Sequence, residues 1–114
     1  MTEFEIDALP AGPEMDRLIR DRGLPWCETP NPGLTKMVST DAGVSLEALE
    51  RFVESSKPNR VTYRLRRTLL RAPFDVDILV FDGEDALIGE ANGSADTLAL
   101  AICRALAKAG KLRE

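Results

Sequence analysis

Arg60-Val61-Thr62-Tyr63-Arg64-Leu65-Arg66 and, a little further on, Asp75-Val76-Asp77-Ile78-Leu79-Val80-Phe81 decide the fold. Val61, Tyr63 and Leu65 alternate with Thr62, Arg64 and Arg66, and Val76, Ile78 and Val80 alternate with Asp75, Asp77, Leu79 and Phe81. That is the period of a strand with one buried face. The turn Asp82-Gly83-Glu84-Asp85 leads to a third short strand, predicted over Ala86 to Ala91, and Asn92-Gly93-Ser94 reads as the next turn. Consecutive strands joined this briefly pair as an antiparallel meander.

Keeping apolar residues on a common face sets the register. Leu65 falls opposite Val76, Tyr63 opposite Ile78 and Val61 opposite Val80. In the second hairpin, Val80 is expected opposite Leu87, Ile78 opposite Gly89 and Val76 opposite Ala91. One face is then almost wholly apolar and needs helical cover. On the other, Arg66 falls opposite Asp75 and Arg64 opposite Asp77, with Glu90 beyond Asp77. Thr62, Leu79, Phe81, Ala86 and Ile88 make the rest of that face apolar, which calls for partial cover there too.

The flanks supply helices. Thr2 and Glu5 fit a capping box opening a short helical stretch to Leu9. Pro13 suits the first position of a helix to about Arg22, with Glu14 and Asp16 in its first turn and Gly23 as C-terminal cap. Ser39 or Thr40 is the expected cap of a helix to about Ser55, with Ala42, Leu46, Leu49 and Val53 as its apolar face and Phe52 beside them. Ser94 is the expected cap of a last helix from Ala95 to about Ala109, with Leu98, Ile102, Ala105, Leu106 and Ala109 inward and Gly110 ending it. Beyond the short N-terminal stretch the order is helix-helix-strand-strand-strand-helix. The fold class is α/β in the α+β sense: a three-stranded antiparallel meander with helices on both faces, a helix-sheet-helix sandwich formed by residues 1–114 as a single domain.

Composition bounds the function. The 114 residues include 15 Lys plus Arg and 19 Asp plus Glu, a formal net charge of −4. That argues against a surface devoted to nucleic acid or anionic membrane, and no sequence-specific nucleic-acid contact is expected. No apolar run approaches the length of a spanning helix, which about 18 residues would need. Cys27 and Cys103 are too few for a disulfide framework, so a reduced, cytoplasmic setting is expected. The chain has no histidine, which removes the commonest general base and metal ligand.

Several further stretches carry a resemblance: Leu9-Pro10-Ala11-Gly12-Pro13-Glu14-Met15-Asp16, then Trp26, then Val38-Ser39-Thr40-Asp41, and Ala95-Asp96-Thr97-Leu98-Ala99-Leu100-Ala101-Ile102-Cys103-Arg104-Ala105. Together they span most of the chain, and with them it resembles the phage ABA sandwich domain family, small proteins of bacteriophages and prophages. The resemblance implies helical layers around a central sheet, a phage or prophage origin and work in the host cytoplasm. It brings no activity and no catalytic motif. The loop from Pro25 to Met37 and the basic first strand depart from the pattern, which directs attention to them.

The sharpest local feature is charge segregation. Lys57 to Pro73 holds six basic residues and no acidic one, whereas Asp75 to Asp96 holds seven acidic residues and no basic one. One reading is an anion or partner site built from Arg60, Arg64, Arg66, Arg67 and Arg71, with Ser94 at a helix N-terminus adding free N–H groups. The other is cross-strand pairing of Arg64 and Arg66 with Asp77 and Asp75. Arg60, Arg67 and Arg71 lie outside those pairs and are the better candidates for an outside partner. Asp75, Asp77, Asp82, Glu84 and Asp85 read as soluble turn and pairing residues, and no metal or cofactor is expected. Cys103 reads as a small buried hydrophobe. The Pro-rich loop, Pro25 to Gly33, either docks Trp26 or forms a rigid contact edge.

The expected function is a non-catalytic accessory binding protein that engages a host or defence protein or sequesters a phosphate-bearing small molecule. A structural homo-oligomer without a ligand and a small carboxylate- or thiol-dependent enzyme are the alternatives.

Overall fold

The computed structural model describes residues 2–21, 39–68 and 73–111. Its elements are α1 (Glu3–Ala8), α2 (Pro13–Asp21), α3 (Ala42–Ser55), β1 (Arg60–Arg67), β2 (Phe74–Phe81), β3 (Leu87–Ala95) and α4 (Leu98–Lys111). The strands form one antiparallel sheet in the order β1-β2-β3, so the α+β class and the meander are as the alternation predicted. Val76, Ile78 and Val80 are buried while the residues between them are half-buried. That two-residue period is what pins β2 in the middle of the sheet.

The first hairpin has the predicted register, with Leu65 opposite Val76, Tyr63 opposite Ile78 and Val61 opposite Val80. The second differs by two residues. Ile78 faces Ala91 and Val76 faces Gly93, with an irregularity between Val80 and Phe81. A slip of two leaves Gly89, Glu90 and Ala91 on their predicted faces, because the period is itself two; Leu87, beyond the irregularity, pairs with Phe81 instead of Val80.

β3 therefore does not stop at Ala91, and Asn92-Gly93-Ser94 is not a turn. The physical reason sits at Gly93. A Cβ there would collide with the backbone of Ala101 and Ala105 in α4, so helix and sheet approach too closely at Gly93 for any side chain. Ser94 consequently lies inside β3 and caps no helix. Thr97 does so instead, its hydroxyl oxygen accepting from the Leu100 amide at 3.3 Å. Gly110 lies within α4 and is buried rather than ending the helix.

α4 is buried at nearly every position from Ala99 to Gly110, because it touches β2, β3 and the other three described helices. The predicted stripe is thus only part of its buried surface, as suits a central helix. In α3, Asp41 replaces Ser39 or Thr40 as the cap, accepting from the Val44 amide at 3.0 Å. The inward face is Val44, Ala48, Leu49 and Phe52, with Ser45. Leu46 and Val53 flank it half-buried, and Ala42 is exposed. The capping box at α1 is as expected, with Thr2 accepting from the Glu5 amide.

α4 lies over the Val76 face, against Gly93, and the other three described helices pack with it. The layer expected on the opposite face is supplied by no described helix, although Thr62, Leu79 and Phe81 are half-buried there. Gly23, Leu24, Trp26, Cys27 and the Pro-rich loop lie outside the described residues.

Polar side chains tie the helical layer together. Ser39, fully buried, donates its amide to Asp16 Oδ1 and accepts from the Gly12 amide, both at 2.9 Å. Arg104 donates to the Ser94 carbonyl at 2.7 Å and to the Leu9 carbonyl at 3.0 Å. Lys108 reaches the Asn92 carbonyl and Asp7, each at 2.7 Å. Buried groups of this kind cost about 1–3 kcal/mol when left unpaired. Leu9, Gly12, Asp16, Ser39 and Arg104 all belong to the stretches that carry the family resemblance, so those stretches do structural joinery.

Candidate functional site

The outer face of the sheet gathers the charged residues. The strand period places Arg64, Asp77 and Asn92 in one row and Arg66, Asp75 and Ser94 in the next. One nitrogen of Arg66, Nη2, donates to Asp75 Oδ2 at 2.5 Å and to Asp77 Oδ2 at 3.0 Å. Asn92 Nδ2 donates to Asp75 Oδ1 and Asp77 Oδ1, both at 2.8 Å. Ser94 Oγ donates to Asp75 Oδ1 at 2.6 Å. Arg64 stands further off, its Nε 3.9 Å from Asp77.

Asp75 is the hub. Its side chain is 13% exposed while that of Arg66 is 50% exposed. The Ser94 hydroxyl does most to lower the Asp75 pKa from its ordinary value. Burial pulls it back up, and Asn92 and Arg66 add to the lowering. Hydrogen bonds to the charged form favour it, so this carboxylate is held ionised. Such a lattice of charge-assisted bonds rigidifies the sheet. It also commits Arg66 and the Ser94 hydroxyl to internal carboxylates, which removes two donors from the predicted anion site.

The other predicted residues are dispersed. Arg60 lies outside the Arg64 and Arg66 pairs but has a partner of its own: its Nε lies 3.1 Å from Asp85 and its guanidinium stacks over Phe81. Arg67 stacks over Phe74, 5.6 Å from the ring centroid, a cation–π contact of modest strength at an exposed site. Arg71 lies outside the described residues. An open recess of about 260 Å³ beside Val53, Lys57, Pro58, Asn59, Arg60 and Val61 has two cations on its wall. Both are engaged, Lys57 with Glu54 at 3.0 Å and Arg60 with Asp85.

The acidic turn is a turn. Asp82 Oδ1 accepts from the amides of Glu84 and Ala86, and Asp85 takes a left-handed φ of 62°. Among the described residues no group of three or more Asp, Glu or Cys side chains is placed to hold a metal ion. No described helix is long and apolar enough to cross a membrane. Cys103 is fully buried, and burial, with the Asp16 charge adding to it, pushes its thiol pKa well up, which suppresses thiolate chemistry.

Two features were missed by sequence reasoning. Asn92 bridges both aspartates because β3 continues, and the signal for this was the unbroken alternation Glu90, Asn92, Ser94. The second is the incomplete cover of β1. Tyr63 and Leu65 belong to the apolar face yet are 37% and 38% exposed. α4 lies over β2 and β3, while α3 is the helix packed against β1, and of the residues of β1 only Val61 is buried.

Comparison of the chain with protein-family models, with curated proteins and with solved structures finds no match.

Proposed function

We propose that this chain is a non-catalytic accessory binding protein of a phage or prophage, which works in the host cytoplasm by engaging a host or defence protein through the β1 side of its sheet. The phage setting rests on the resemblance carried by the stretches quoted above. The choice of a protein partner over a phosphate-bearing small molecule rests on one observation: Arg60, Arg66 and the Ser94 hydroxyl, three of the donors expected to make an anion site, are spent internally on Asp75, Asp77 and Asp85, whereas Tyr63 and Leu65 of the first strand are each more than a third exposed.

A phosphate site needs convergent, uncommitted donors. A protein interface needs exposed aromatic and aliphatic groups with arginine nearby, which β1 offers in Tyr63, Leu65, Arg64 and Arg67. The test is affinity capture from host lysate with the wild-type chain and with Leu65→Glu, together with titration of the purified chain with a nucleoside triphosphate and with inorganic pyrophosphate. The reading expects one protein captured in stoichiometric amount by the wild type and lost with Leu65→Glu, and no saturable heat from either phosphate compound. A co-purifying nucleotide, or saturable phosphate binding, contradicts it.

A further inference from the structure

β1 is an edge strand of eight residues, with β2 on one side and no described strand on the other. An edge presents a row of backbone N–H and C=O groups able to pair with another chain. Here the two faces beside that edge differ in chemistry. On the helix side, Tyr63 and Leu65 are exposed because α4 does not extend over them. On the outer side stand Arg64, 66% exposed and only loosely paired with Asp77, and Arg66. Across the sheet the charge runs from four arginines on β1 to two aspartates on β2 and one glutamate on β3.

From this we infer that β1 accepts an extended segment of the partner as a fourth strand, and that the segment alternates acidic and apolar residues. The inference rests on the binding-protein reading above and specifies its mode. A strand laid beside β1 sends alternate side chains to opposite faces. Those on the outer face meet Arg64, which is only loosely paired with Asp77, and are acidic; those on the inner face extend the apolar surface of Tyr63 and Leu65. Main-chain hydrogen bonds supply affinity and the alternating side chains supply selection. The occupant is not a second copy of β1. Antiparallel pairing of two such strands brings eight arginines to one seam, and like charges directly opposite destabilise a sheet.

The test uses capped peptides as long as β1: alternating glutamate and valine, alternating lysine and valine, and the glutamate peptide with alternate backbone amides N-methylated. Calorimetry with the whole chain is expected to show saturable binding of the glutamate peptide. Binding at least about tenfold weaker is expected for the lysine and N-methylated peptides, and for the glutamate peptide with the Arg64→Glu variant. Amide hydrogen exchange is expected to slow along β1 when the glutamate peptide is added. Equal binding of the N-methylated or lysine peptide overturns strand addition, as does no binding of the glutamate peptide or a chain that sediments as a dimer through β1. In each of those cases, lysate capture that is still lost with Leu65→Glu leaves the binding-protein reading standing, so the two failures are separable.

Discussion

The two strands flanking β2 receive the same antiparallel pairing and opposite treatment. β3 offers Ala91, Gly93 and Ala95 to the helix side, and α4 settles on them until its backbone meets Gly93. β1 offers Val61, Tyr63 and Leu65, and only Val61 is covered. Small residues let an alanine-rich helix approach closely, and the position of that closest approach decides which part of the sheet is left bare. The large apolar side chains of β1 are thus not failed core. They are what remains outside when the helix is centred on glycine and alanine.

The comparison is broken most forcefully at Ile78, fully buried between the two flanks. Ile78→Ala removes a core side chain and is expected to cost roughly 2–5 kcal/mol in urea unfolding. A much smaller loss removes β2 from the centre of the account. Next comes Gly93→Ala. The added methyl faces helix backbone, which yields little, and overpacking of this kind costs about 1–3 kcal/mol. If the variant unfolds at the same urea concentration as the wild type, α4 does not sit where described.

Ser94→Ala separates pairing from capping. Loss of the hydroxyl leaves Asp75 without its shortest neutral donor, at a cost of about 1 kcal/mol near neutral pH. The sign with pH follows from the lowered Asp75 pKa. Stabilisation by this carboxylate is complete above the ordinary aspartate value and is lost as pH falls through the lower folded value. The gap between wild type and Ser94→Ala therefore narrows on acidification, read from urea titrations at neutral and acidic pH; a constant gap contradicts the assignment. The smallest effect is expected at the bare strand. Leu65→Thr puts a β-branched strand former at an exposed position and changes stability by no more than about 0.5 kcal/mol, while lowering affinity for the glutamate peptide.

Much of this was legible in the sequence. The alternation of Val76, Ile78 and Val80 with Asp75 and Asp77 carried the central strand, and matching it to Val61, Tyr63 and Leu65 carried the first hairpin and the pairing of Arg66 with Asp75. What the sequence hid was tertiary. Asn-Gly-Ser carries the local signals of a turn, and only the helix overhead makes Gly93 a packing residue and Ser94 a strand residue. Ser39 and Thr40 are both good local caps, yet Asp41 does the capping while Ser39 bonds Gly12 and Asp16 across the helical layer. The engagement of Arg60 with Asp85 depends on the turn geometry that brings the second hairpin back beside β1.

Residue-resolved amide hydrogen exchange of the whole chain tests the central claim, that β1 is an open edge beside a central strand paired on both sides. The account predicts slow exchange at every interior amide of β2 and alternation along β1, where amides bonded to β2 are slow and those directed outward are fast. Uniform protection along β1, equal to that of β2, means that the edge is already covered and contradicts the account.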